Sequence, residues 1–466
     1  MNAEEAVAQN KMGTQPINRL LLGMALPMMF AMFVQSLYNI VDRIFVAYLS
    51  EDAFAAVSLT FPAQMLMLQV AVGISVGINA LLSKSLGERN FAQVNKSALN
   101  GLFLAGLAAV VFMVFGGWGT EIYFRSQNVS GALLQYGQEY LSLVSLFSAT
   151  LVGQVILERL LMSTGKAVYQ MISQIVGAVV NIILDPIMIF GLLGCPALGV
   201  KGAAVATVLG EGSACALALY FNLTKNKEIN FSFRGFRPDL TVIRKICAVG
   251  VPAILMGTLL SLAIYGQNRI LMGLAEASTA VAVLGAYFGL ESFVFMPVFG
   301  LNNALIPIVA YNFGARNKQR LLRALKLGCL YTLGIMLLGT LLFQLFAEKL
   351  LLIFNATEQM LRIGAPALRI ISISYVFFAL GIVLNSVFQA LGHGLESFLA
   401  TAFRLGVLLL SVWLLSLTGV LAAVWWSSPL SGAAALLFSL FLFRRIYERQ
   451  IETIPAAAVE TCPAGN

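Results

Sequence analysis

Asp185 stands four residues after Asn181 in the run Asn181-Ile182-Ile183-Leu184-Asp185-Pro186, so a carboxylate and a carboxamide share one face of an otherwise apolar segment. A charge at the centre of a bilayer costs about 2.5–3.5 kcal/mol even on a lenient insertion scale, which makes such an acid a functional-site candidate by default. Asp42 repeats the pattern, with Asn39 three residues before it and the Tyr38 hydroxyl four before. Two carboxylates in one apolar surrounding cannot both be cheaply ionised. The pair is therefore suited to taking up and releasing a proton, or to binding a cation such as Na⁺ that screens it. Thr207 and Glu211, one helical turn apart in a further apolar run, complete a candidate pocket if the three segments are neighbours.

The elements that must hold these groups are membrane spans. The chain has 466 residues, 59% of them hydrophobic and 11% charged, with a mean hydropathy of +0.87. That composition excludes a soluble globular domain. The net charge of +8 does not point to nucleic acid, because the Lys and Arg fall in short gaps between apolar runs. Five cysteines without metal-like spacing support neither a disulfide framework nor a zinc site, and no metal or cofactor is expected.

Cutting at the hydrophilic gaps predicts an all-α polytopic protein with about twelve spans, at 17–48, 53–83, 94–116, 132–162, 167–193, 198–222, 240–271, 279–312, 319–346, 358–390, 395–418 and 421–446. Basic residues collect in alternate gaps (Lys84, Arg89 and Lys96; Arg159 and Lys166; Lys225 to Lys245; Arg316 to Lys326; Arg444 to Arg449), which makes both termini cytoplasmic and the protein a multi-pass cell-membrane protein. The expected organisation is an N-terminal tail 1–16, a first lobe 17–222, a cytoplasmic linker 223–239, a second lobe 240–446 and a disordered tail 447–466.

The two lobes read as a duplication. Gly87-Glu88-Arg89-Asn90 recurs as Gly314-Ala315-Arg316-Asn317 at an offset of 314 − 87 = 227, and Gly73 with Gly300 and Gly165 with Gly392 keep that offset. Six spans per half give both halves the same direction, so the lobes should be related by a pseudo-two-fold axis along the membrane normal, with a cavity near the midplane. The acids break this symmetry: Asp42 aligns with Asn268 at an offset of 226, and Asp185 with Val412 and Asn181 with Leu408 at 227. Counted from the gaps, Asp42 lies nine residues before Glu51 and Asp185 nine before Gly194, about 14 Å inside the outer end in both cases.

Other residues have plainer readings. Gly73-xxx-Gly77 allows close helix packing. Met28, Met32 and Met65, with Gln35, are core unless they face the cavity, where soft side chains would suit varied amphipathic substrates. Glu211 and Glu291 are either substrate contacts or interhelical hydrogen-bonding groups, Glu158-Arg159 is either a gate or, as the plainer reading, an interfacial pair, and the lone His393 reads as a solvated turn residue.

Leu26-Pro27, Asn39-Ile40-Val41-Asp42, Gly73 to Gly87 and Asn181 to Pro186, in a duplicated twelve-span chain, resemble the multidrug and toxic compound extrusion (MATE) family, and within it the DinF-like branch. The resemblance implies antiport of amphipathic, cationic drugs or metabolites against H⁺ or Na⁺ by rocker-switch alternation. It carries Tyr38, Asp42, Asn181, Asp185 and Thr207 over as the ion- or proton-coupling cluster. The chain departs from the NorM-type branch, whose second-half acids are missing from the tenth span, where Arg362 and Arg369 stand. The reading is a monomeric exporter of a small molecule in a lipid bilayer, with no nucleic-acid partner. A lipid-linked or dedicated-metabolite flippase or exporter is the alternative, and a channel or a membrane-embedded enzyme stands further off.

Overall fold

The computed structural model describes residues 10–127, 129–273, 276–354 and 356–455. The expectations for residues 1–9 and 456–466, Cys462 included, lie outside the described residues, as do the side chains of Asn39, Arg43 and Glu51. No strand occurs among the described residues. The principal helices are α1 Ile17–Ala47, α2 Glu51–Gly87, α3 Phe91–Val114, α4 Gly131–Leu146, α5 Ser148–Ser163, α6 Ala167–Phe190, α7 Val200–Lys225, α8 Leu240–Leu271, α9 Ala277–Gly314, α10 Lys318–Leu352, α11 Glu358–Ser372, α12 Ser374–Ala390, α13 Gly394–Ser416 and α14 Ser427–Ile446. Ten stretches are long and apolar enough to cross a bilayer singly, and α4 with α5 and α11 with α12 do so as pairs. With each pair taken as one span, the total is the twelve expected.

Two of those spans are broken where the sequence reads as continuous: α4 and α5 meet at 47°, α11 and α12 at 43°. Neither break carries Gly or Pro; both carry hydroxyls. Thr150 Oγ1 donates to the Phe147 carbonyl at 2.8 Å, while Ser374 Oγ takes the Ile371 carbonyl at 2.6 Å and Thr340 of α10 takes that of Ser372 at 3.0 Å. Side chains thus replace the helical hydrogen bonds that apolar surroundings would otherwise leave unmet. The third span also runs on past Val114 through a π turn, Phe115–Gly119, to Ser126.

The described chain falls into two compact units, one built from Gly23–Leu82 with Phe91–Thr258, the other from Leu259 onward with Ser83–Asn90 and the chain up to Leu22. In the first, a Cβ on Gly73 would meet the Gly250 carbonyl at 2.7 Å and one on Gly77 the Ile246 carbonyl at 2.2 Å. Those glycines let α2 and the start of α8 approach backbone to backbone. In the second, a Cβ on Gly87 would lie 2.0 Å from the Tyr311 carbonyl.

Three expectations are corrected here. Arg159 does not sit in a basic gap: it is buried within α5 beside Glu158, to which Gln154 donates at 3.1 Å. Residues 447–455 are not a disordered tail, because Tyr447–Ile451 forms a π turn and Ile451 and Ile454 are buried apolar anchors. Likewise 10–16 is not a free tail: Asn10 caps the turn Lys11–Thr14, Met12 is buried, and Arg320 donates to the carbonyls of Met12 and Gln15 at 3.0 and 2.7 Å.

Candidate functional site

The site is built where α6 and α7 touch. Gly177 and Gly210 face each other so closely that a Cβ on either would stand 2.8–2.9 Å from the other's carbonyl oxygen, and one on Gly202 would meet the Met188 carbonyl at 2.3 Å. These contacts bracket Asn181 and Thr207 and fix their register, so that Asn181 Nδ2 donates to Thr207 Oγ1 at 3.5 Å. The loop 191–199 is held as well: Gly191 ends α6 in the left-handed region at φ 75°, and Leu198 and Gly199 donate back to Met188 and Ile189.

One α-helical turn beyond Asn181, Asp185 is fully buried. No N–H or O–H donor among the described residues reaches either of its oxygens; the group within hydrogen-bonding reach is the carboxyl of Asp42 on α1. Two carboxylates cannot hydrogen-bond each other, so that contact exists only while one of them carries a proton. Two carboxyls so placed can share a proton, or hold a cation when the proton is gone.

Tyr38 lies within electrostatic range of Asp42, Glu211 and Asp185. The fifth expected member, Thr207, is buried, with Tyr140 of α4 beside it. Glu211 lies 3.1 Å from Thr150 Oγ1, whose one proton is shared between that carboxyl and the Phe147 carbonyl at the bend between α4 and α5. Gln35 accepts from Gln174 of α6 at 2.6 Å. Met28 is buried while Met32 and Met65 are part-buried. All of these residues belong to the first unit.

Tyr140 and Thr150 were not foreseen, since a lone tyrosine and threonine in apolar runs give no signal until the register of their span is known. Depth is also corrected. Asp42 lies five residues before the end of α1 at Ala47 and Asp185 five before the end of α6 at Phe190, or about 7.5 Å at the helical rise. The acids are level with each other, as expected, but shallower in their helices than the gaps implied, because both helices stop before the hydrophilic residues begin.

Glu291 does not join this cluster; it lies in the second unit. There it accepts from Tyr287 at 2.6 Å.

The MatE family model matches residues 27–187 and 252–428, one stretch in each half. The FAD transporter of Shewanella oneidensis is 26% identical over 400 residues, covering 85% of this chain and 87% of that protein. The multidrug export protein MepA of Staphylococcus haemolyticus is 24% identical over 438 residues, covering 93% and 94%. Among solved structures, an outward-facing conformation of a multidrug resistance MATE family transporter of the MOP superfamily shares the fold with a TM-score of 0.88, at 24% identity over 95% of this chain and 99% of that one.

Proposed function

Because the chain belongs to the MatE family, whose members are transporters and not enzymes, we propose that it is an ion-coupled exporter of a small molecule, driven through the Asp42–Asp185 pair of the first unit. The observation that carries this is the burial of Asp185 against Asp42 with no other donor among the described residues to reach it. A pair that must gain a proton or a cation to be stable changes charge with its surroundings, and a change of charge biases a conformational equilibrium. Each elementary charge moved down the membrane potential supplies about 2.3 kcal/mol per 100 mV. Pro186, directly after Asp185, leaves a backbone carbonyl of α6 without its helical partner and lets the helix bend when the pair is neutralised. Asn181, Tyr38 and Thr207 orient the acids, and Met28, Met32, Gln35, Met65, Glu211 and Glu291 are the residues proposed to contact substrate. The acid cluster in the first half and its absence from the tenth span agree with the DinF-like branch.

The test uses proteoliposomes under separately imposed pH and Na⁺ gradients, with a fluorescent amphipathic cation as cargo. One of the two gradients should drive export, and Asp42→Asn and Asp185→Asn should each abolish it. Coupled export that survives in both variants would sink the assignment. A second reading, export of a dedicated metabolite, is favoured by the FAD-transporting relative. It gains if neither gradient moves the cation.

A further inference from the structure

The asymmetry of the acids has a counterpart in the second unit. At the offset of 227, Thr60 and Gln64 of α2 correspond to Tyr287 and Glu291 of α9 (287 − 60 = 291 − 64 = 227). The hydrogen bond survives the exchange: Gln64 Nε2 donates to Thr60 at 2.6 Å, and Tyr287 donates to Glu291 at 2.6 Å. Its chemistry does not, since an amide has become a carboxylate. At the same offset Arg404 of α13 stands where the first half has Gly177, the glycine that lets α6 and α7 meet backbone to backbone. Where one unit has a bare backbone, the other has a guanidinium. A duplicated scaffold accounts for residues the halves share, not for these.

Arg404 points into the protein. On α13 the buried positions Ala400 and Val412 lie on its side, whereas Leu399, Phe403, Leu410 and Trp413 are the exposed ones. Its guanidinium carbon lies 4.9 Å from the centre of the Phe378 ring, a cation–π contact. Phe295 and Tyr375 close the wall, their ring centres 5.5 Å apart, and the Tyr375 hydroxyl is near that of Tyr287. Glu291 is close enough for its charge to be felt at Arg404. Yet no ion pair within 4.0 Å joins them, and no hydrogen bond engages the guanidinium among the described residues. Both residues are part-buried, and an Arg–Glu pair held there for structure alone would close to direct contact, because separation forfeits the attraction that offsets desolvation. Here Arg404 keeps a fork of N–H donors open beside aromatic rings, which is the geometry that recognises a planar oxyanion.

We propose that Arg404, with Tyr287, Glu291 and Tyr375, forms a subsite in the second unit for the carboxylate or phosphate of an aromatic substrate. It deepens the metabolite reading and rests on it only in taking the ligand as cargo. Glu291 balances Arg404 while the subsite is empty and opposes the incoming anion. The two charges therefore act on affinity in opposite directions.

Flavin mononucleotide and riboflavin share one ring system and differ by a phosphate, so their binding to the purified, detergent-solubilised transporter, read by flavin fluorescence, isolates the oxyanion. The wild type should bind the phosphate form at least about tenfold more tightly. Arg404→Gln should erase that preference without altering riboflavin, and Glu291→Gln should enlarge it. Equal binding of the two flavins, binding of neither, or the same direction of change in both variants overturns the subsite. If Arg404→Gln does not fold, Arg404→Lys and Glu291→Gln carry the test, since only an anion subsite makes loss of the glutamate strengthen binding. Competition by 1-naphthyl phosphate and 1-naphthoate then identifies the oxyanion, and displacement by neither counts against the assignment. Binding requires no gradient, so its failure leaves ion-coupled export standing, while loss of gradient-driven export with binding intact leaves the subsite standing.

Discussion

Thr207 is the residue that ties α7 to the acid-bearing helix of the first unit, because it accepts from Asn181. Thr207→Val would keep the shape and remove the hydroxyl, leaving the buried Asn181 amide without its partner at a cost of about 1–3 kcal/mol. The expected result is a lower melting temperature and an export activity that needs more of the driving ion; Thr207→Ser should restore both. A fall in stability with ion dependence unchanged would reduce Thr207 to a packing residue. Asn181, Asp185 and Asp42 were legible in the sequence because an acid or amide is conspicuous among aliphatic neighbours. Tyr140 was not, because aromatic residues are common in spans and only the packing of α4 against α7 brings it beside Thr207.

Among the elements, α6 and α7 depend on glycine at Gly177, Gly202 and Gly210, and Gly210→Val should force them apart. Overpacking of this kind costs about 1–3 kcal/mol, measured as a lower melting temperature and a smaller monodisperse yield. Gly106→Ala in α3 is the control, since a Cβ there meets nothing within 4 Å; it should be neutral or slightly stabilising. The start of α8 offers a test by pH. Asp239 accepts from the backbone N–H of Thr241 at 3.0 Å and of Val242 at 3.3 Å, and pairs with Lys96 at 3.3 Å. The Val242 N–H first, then Lys96, hold its carboxyl below the ordinary value of 3.8. A depressed folded pKa means that the stabilisation is complete above the unfolded value and is lost as pH falls through the folded one. The melting-temperature advantage of the wild type over Asp239→Ala should therefore be constant from neutral pH down to about 4 and shrink below it; an advantage independent of pH would show that the charge plays no part.

For the whole molecule, both ends of the described chain are tied to the start of α10. Arg320 holds the carbonyls of Met12 and Gln15, and Lys318 donates to the Glu452 carbonyl at 3.3 Å. The two ends therefore lie together beside the basic stretch from Arg316 to Lys326, and we propose from the positive-inside bias that they are cytoplasmic. Reporter fusions at either terminus should read the same, cytoplasmic compartment. A periplasmic signal from either would reverse the orientation proposed for the proton or cation gradient.

The number of spans, their duplication and the confinement of Asp42 and Asp185 to the first half were settled by the sequence alone. Each follows from hydrocarbon length, residue offset or the energy of a charge in an apolar run, and none needs a neighbour. Tertiary structure alone decided what those groups meet. The hydroxyl-stabilised bends at Phe147 and Ile373 bring Thr150 to Glu211 and shape the second unit, Gly177 against Gly210 sets the register of Asn181 with Thr207, and Arg404 faces Phe378 and Glu291 instead of lipid. In a chain this apolar, nearly every face of every helix is hydrophobic, so periodicity cannot say which face turns inward; only the close approach of backbones does.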